Sequence, residues 1–148
     1  MNMVSRALER RRKGQKGFTL VELLVVVIII GILAAVSVPI YLNQRKSAWN
    51  SNAEQDAKNA QTVVETYLTE NNGAFPTGAT AITCEGGDHG GSQILGTQQL
   101  NCSAGVTLKV TPSSDGESYT ISADHANGNK TYTYDSSKDA AIQTTSKS

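Results

Sequence analysis

The chain is poor in the groups that do chemistry. Its 148 residues include two cysteines, two histidines and one tryptophan. Neither a C-x-x-C nor an H-x-x-x-H spacing occurs, so the paired ligands of a typical zinc site are missing. His89 and His125 lie in turn-forming stretches without a nucleophile or base pattern nearby. No Ser-His-Asp set and no Gly-rich phosphate loop can be picked out either, so the sequence argues against an enzyme and implies no cofactor. Charge is also missing where it is most expected, because Leu23 to Gln44 contains no charged residue. As a helix, those about 22 residues would reach roughly 33 Å, enough to cross a bilayer core.

What charge there is lies asymmetrically. The formal net charge is zero, yet Arg6, Arg10, Arg11, Arg12, Lys13 and Lys16 crowd the first segment against Glu9 alone. Twelve acidic and seven basic residues follow from Phe18 onward, which argues against general nucleic-acid binding by the bulk of the chain. A basic block beside an apolar helix is a topology signal: it stays cytoplasmic, and everything after the apolar run lies outside. Within that run's first turns stands Glu22. A carboxylate at the bilayer centre costs roughly 2.5–3.5 kcal/mol, so it needs a partner or a job. An ordinary secretory signal would end at small residues, and Ala34-Ala35-Val36 could serve, but the run continues past them into more helix.

That continuation is amphipathic. Ala53, Ala57, Ala60, Val64 and Tyr67 or Leu68 recur at spacings of three and four, with Glu54, Asp56, Lys58, Gln61 and Glu65 on the other faces. One helix from Phe18 to Glu70 is predicted, stopped by Asn71-Asn72-Gly73 and Pro76. Gly31 and Pro39 interrupt its apolar half, and a kink or locally melted stretch is expected between them. Residues 72–105 read as a long Gly-, Thr- and Ser-rich loop, with "EGGDHGG" its most flexible part on composition. Cys84 and Cys102 fall in it, on the outer side. A disulfide there is favoured over a metal site built from Cys84, Glu85, Asp88, His89 and Cys102, and would stabilise by about 3 kcal/mol in the chain-entropy model. Three alternating segments follow, Val106–Thr111, Tyr119–Ala123 and Lys130–Tyr134, separated by "SSDGE" and "HANGN". They predict an antiparallel three-stranded meander. Its apolar face needs cover, and the helix stripe is the large one available. After Ser136 the chain is polar, with Ala140, Ala141 and Ile142 offering a short edge element. The fold class is therefore α+β: a long N-terminal helix, apolar in its first half, packed on a small antiparallel sheet.

The stretch "KGFTLVELLVVVIIIGILAAVSVPIYLNQ" resembles the N-terminus of type IV prepilins, the family of pilins and pseudopilins with a class III signal peptide. The likeness is close over about 30 residues: a basic leader ending in Gly, then Phe, Thr, Leu, a glutamate fifth after the cut, and a long apolar run. The resemblance implies a leader over 1–17 and cleavage between Gly17 and Phe18 by the prepilin peptidase, which also methylates the new amine. It further implies a membrane and filament-core half-helix over 18–44, an amphipathic half over 45–70 and a head over 71–148. Glu22 would pair with the freed amine of another subunit, and Gly31 and Pro39 would let the helix adjust on assembly. The implied partners are identical subunits in a homopolymer, the pilus assembly machinery and, before assembly, the cytoplasmic membrane. The implied destination is an extracellular pilus on the cell surface. A pseudopilin, or an uncleaved membrane-anchored module whose head binds DNA or a host surface, stays open beside the pilin.

For the other conspicuous residues the plainer reading leads. Trp49 and Tyr41 read as interfacial belt or core packing. The sequons at Asn101 and Asn129 are short enough to arise by chance. Asp115, Glu117, Asp124 and Asp135 decorate turns, with a calcium site as the less favoured alternative.

Overall fold

The computed structural model describes residues 19–138 and 141–147. The leader, the Gly17–Phe18 step and Ala140 lie outside the described residues. The chain divides into two compact units at Leu42 and Asn43.

In the first unit, helix α1 (Leu20–Glu70) begins with a defined cap. Thr19 accepts the Glu22 N–H on its hydroxyl at 3.2 Å, and its carbonyl accepts the Leu23 N–H at 3.1 Å. Thr19 is thus the N-cap and Glu22 the N3 residue of a Thr-x-x-Glu box. Every side chain from Thr19 to Leu42 is exposed in the single chain, and α1 is long and apolar enough to cross a membrane. The expected melted stretch is not there: α1 stays helical through Gly31 and Pro39. Pro39 removes one donor, that for the Ala35 carbonyl, while the turns on either side keep theirs. Ser37 donates its hydroxyl to the Leu33 carbonyl at 2.7 Å, tightening the turn just before the proline.

In the second unit the rest of α1 buries Ala53, Ala57, Ala60, Val64, Tyr67 and Leu68, the predicted stripe, together with Asn50 and Asp56. The buried Asp56 corrects the placement of that residue on an outer polar face. The helix ends as its sequence dictates. Asn72 and Gly73 take φ of 61° and 81°, and the Gly73 N–H returns to the Leu68 carbonyl at 2.7 Å.

The head carries more strands than its sequence pattern predicts. Besides β4 (Val106–Pro112), β5 (Tyr119–His125) and β6 (Lys130–Asp135), the 72–105 segment holds β1 (Ile82–Glu85) and the hairpin β2 (Gly91–Leu95) and β3 (Gln98–Cys102). A last strand, β7 (Gln143–Ser146), follows a short 3-10 turn at Ser136–Lys138. All neighbours are antiparallel, in the order β1-β4-β5-β6-β7, with β2-β3 separate. The predicted meander is therefore the centre of a five-stranded sheet. Strands β4 and β5 alternate strictly, turning Val106, Leu108, Val110, Tyr119, Ile121 and Ala123 onto the apolar stripe of α1 in one core. Strand β1 adds Cys84 opposite Leu108. The "EGGDHGG" stretch is the tight corner leading into the hairpin. A Cβ on Gly86 would lie 1.9 Å from the Ser103 carbonyl oxygen, so only glycine fits where the two chain segments cross.

Candidate functional site

Two sets of residues bear on function: the start of α1, and the polar ties that hold the head to the same helix.

At the start of α1, Glu22 carries the single charge between Leu20 and Gln44. As the N3 residue it stands where unpaired backbone N–H groups and the helix dipole favour a carboxylate. The Thr19 cap escaped the sequence reading, although Thr-x-x-Glu ahead of an apolar run is itself a legible start signal. Gly31 and Pro39 lie further along the exposed apolar helix, and a Cβ on Gly31 would meet nothing within 4 Å. Gly17 and Phe18, the expected processing step, precede the described residues.

In the head, Cys84 and Cys102 are joined by a disulfide, buried at 0% and 4% exposure. With both sulfurs bonded to each other, the alternative of thiolate metal ligands is removed. The bridge fastens β3, and with it the β2-β3 hairpin, to β1 of the main sheet. Next to it, the buried carboxylate of Asp56 accepts the Ser103 backbone N–H at 2.6 Å and the Ser103 hydroxyl at 2.9 Å. Further along α1, Glu70 accepts from the Thr97 hydroxyl at 2.7 Å and the Gln98 amide at 3.1 Å. The hairpin is thus tied to α1 at both ends.

Three further ties join helix and sheet. Asn50 accepts the backbone N–H groups of Asn129 and Lys130 at 3.1 and 3.2 Å and donates to the Asn129 side chain at 2.7 Å. Tyr119 donates its hydroxyl to Glu65 at 2.5 Å; burial first, and then that carboxylate, push the phenol's pKa up, so it stays a donor. The Arg45 guanidinium lies 5.0 Å from the Trp49 ring, which stacks at 5.5 Å on buried His125. Trp49 is therefore packing, and His125 is a structural residue whose Nδ1 accepts the Asn127 N–H at 3.0 Å.

The turn acids are used locally. Asp115 accepts from the Ser113 hydroxyl and the Glu117 N–H, which hold its carboxyl below the usual range, the serine contact being the larger cause. Asp135 accepts from the Ser137 hydroxyl and N–H, with Lys138 adding a smaller effect, and is likewise lowered. Asp124 pairs with Lys147 at 2.9 Å. Among the described residues no group of three acids, histidines or cysteines comes together as a metal site. Of the two sequons, Asn129 is spent on Asn50, while Asn101 is exposed on β3.

The comparisons with known proteins meet this architecture at its N-terminal end. Residues 12–38 match the family described as the prokaryotic N-terminal methylation motif. Over 108 residues the chain is 34% identical to a type IV major fimbrial protein of Dichelobacter nodosus, covering 70% of this chain and 67% of that one. It belongs to the type IV pilin family. Other members of the family match at higher identity and shorter reach. A fimbrial protein of Neisseria meningitidis is 42% identical over 67 residues, covering 45% of this chain and 39% of that one. One of Pseudomonas aeruginosa is 41% identical over 58 residues, covering 39% and 38%. The chain thus spans about two fifths of the length of these pilins. No solved structure matches. Type IV pilins are structural proteins.

Proposed function

We propose that this chain is the precursor of a filament subunit, held in the cytoplasmic membrane by α1, cut between Gly17 and Phe18, methylated, and polymerised through the apolar half of α1 into a surface pilus. The observation that carries this reading is the exposed apolar face from Leu20 to Leu42 with one carboxylate in its first turn, most of which lies within the 12–38 match to the methylation motif. Such a face is satisfied by lipid before assembly and by copies of itself afterwards. Cleavage creates an amine four residues before Glu22, and pairing that amine with Glu22 of a neighbouring subunit removes two unpaired charges from an apolar filament core. Gly31 and Pro39 contribute by making their segment of α1 cheap to deform. Against alanine, a helix-interior glycine costs about 1 kcal/mol and a proline about 3 kcal/mol.

Glu22 also occupies a capping position, so the two roles need separating. Glu22→Gln keeps a side chain able to complete the cap but loses the charge, whereas Glu22→Ala loses both. The pairing role predicts that both variants insert in the membrane and both fail to assemble, as scored by membrane fractionation and negative-stain imaging. Normal filaments from Glu22→Gln would refute it. Intact-mass measurement of assembled protein should give a chain beginning at methylated Phe18, and retention of residues 1–17 would point to an anchored module that is never cut.

A further inference from the structure

The hairpin leaves one strand edge unused. Strand β3 pairs with β2 alone, with Gly91 opposite Cys102 and Gln93 opposite Leu100. A Cβ on Gly90 would lie 3.0 Å from the Cys102 carbonyl oxygen, so that carbonyl is turned toward β2. Backbone groups alternate in direction along a strand, and Gln99 and Asn101 therefore present theirs on the opposite edge. Ser103, next in that series, shows where the edge faces: its N–H reaches Asp56 on α1. Between the edge and the helix runs an open groove of about 510 Å³, with Asp56, Asn59 and Val63 on one wall and Gln99, Asn101 and Ser103 on the other. A main chain lying in this groove would find the outward N–H and C=O groups of β3 on one side and short side chains, polar and apolar, on the other, the arrangement in which an added strand is bound.

A second unused edge lies at the far end of the sheet. Strand β7 is the edge strand beyond β6, and its four side chains are exposed. Its sequence, Gln-Thr-Thr-Ser, holds no charge and no proline, the usual guards of a free edge, and neither does Gln98–Cys102. The lengths agree, at roughly 14–17 Å each for a rise of about 3.4 Å per residue. Charge agrees as well: no Lys or Arg lines the groove, whose one charged lining residue is Asp56, while β7 is preceded by Lys138 and followed by Lys147. Lys138 pairs with Asp135 in an exposed contact weak enough to be exchanged, whereas Lys147 is held by Asp124 and by the His125 carbonyl and keeps its place beside β7. Because the disulfide sets the hairpin at the β1 end and β7 ends the sheet on the other side, the two edges cannot meet within one head. Between copies they would make a heterologous contact, the kind that extends a filament when its rotation does not close.

We infer that β7 of one copy adds as a strand to the free edge of β3 in the next, seated in the groove against α1. This deepens, and rests on, the filament reading: it supplies a head-to-head contact in addition to the helical core. The test places p-benzoylphenylalanine at Thr145 in the full-length chain, mixes unlabelled and nitrogen-15-labelled copies, and maps photo-adducts by mass spectrometry in filaments and in concentrated detergent solution. The expected product joins residue 145 of one copy to residues 98–103 of another. In the same assay Asn59→Trp, which fills the groove from the helix side, should reduce the adduct about tenfold, and so should Asn101→Pro, which removes one free-edge N–H. Filaments in which residue 145 links elsewhere, or an adduct yield unchanged by Asn59→Trp, would overturn the strand addition while leaving the filament intact. If no filaments form at all, the polymer reading fails, and the detergent sample still decides the pairing: an adduct to 98–103 retains it and none overturns it.

Discussion

Asp56→Ala should be among the most damaging substitutions of a polar residue in the head, although the residue is a helical aspartate in a polar sequence neighbourhood. Its carboxylate is 5% exposed and accepts two hydrogen bonds, both from Ser103, 47 residues away. A hydrogen bond to a charged group contributes about 1.5–3 kcal/mol net, and a buried donor left without a partner costs about 1–3 kcal/mol. The adjoining groove admits water, which can take over part of that role, so the expected loss is about 2–4 kcal/mol. For a domain near 100 residues this corresponds to a fall in melting temperature on the order of 10–20 °C. Ser103→Ala removes the hydroxyl bond but spares the backbone one, and should cost about 1 kcal/mol. Glu54→Ala, two residues away and engaged in an exposed pair with Lys58, should cost under about 0.5 kcal/mol. The assay is thermal unfolding of the full-length protein in detergent, followed by the fluorescence of Trp49, which packs on His125 in the head. If Asp56→Ala and Glu54→Ala melt together, the carboxylate does not anchor the hairpin and the reasoning fails.

Two further predictions concern the same head. Replacing Cys84 and Cys102 by alanine should lower stability by about 3 kcal/mol, read as a shift in denaturant midpoint, since the bridge closes a separation of 18 residues; in that background Asp56→Ala should cost more than it does alone, because it removes a remaining tether of the hairpin to α1. The second is a pH dependence. Asp115 and Asp135 have carboxyls lowered from an ordinary value of 3.8 by their serine and backbone contacts, so each stabilises the fold above that value and loses the contribution as pH falls through the lower folded one; Asp135→Asn should therefore be less stable than the parent at pH 7 and should converge with it in melting scans toward pH 2.

Sequence patterning revealed the parts of the fold where burial is periodic. The apolar run, the Ala53–Leu68 stripe and the inward-facing residues of β4 and β5 all bury one face against a large partner, so each leaves a period in the chain. Strands β1, β2, β3 and β7 leave almost none. They are four or five residues long, and their inward positions amount to Cys84, Leu95, Leu100 and Cys102, with β7 burying nothing. They are held by backbone pairing, one disulfide and ties to α1, none of which shows as hydrophobic alternation. Asp56 was misread for a related reason. A polar residue on a helix reads as solvated unless its partner is known, and its partner sits in a segment with no pattern of its own. The cysteine pair was legible because only two cysteines exist, which left one disulfide to consider.

Glu22 stands at two positive features, one within its own helix and one that cleavage would create. In sequence it is a charge in the wrong solvent, and the proposed remedy is a second subunit's amine. The capped start of α1 offers a nearer remedy, because a carboxylate in the first turn stands at the positive end of its own helix. Cleavage before Phe18 would then place a cation one residue ahead of the Thr19 cap, where the same helix end repels it. The two positive features would compete for one carboxylate within a subunit, so on the proposed reading an isolated cleaved subunit would keep an unsatisfied cation in an apolar setting. A neighbour's Glu22 would relieve that conflict only if the neighbour's own amine were served in turn by the next copy, which is a repeating and non-closing arrangement. On this argument the penalty of the unpaired amine falls on the free end of the filament and nowhere else. Glu22→Gln would leave every amine unpaired, and not only the one at the free end, so the variant should accumulate as membrane-inserted subunits without filaments by negative-stain imaging, and filaments of normal yield would refute the argument.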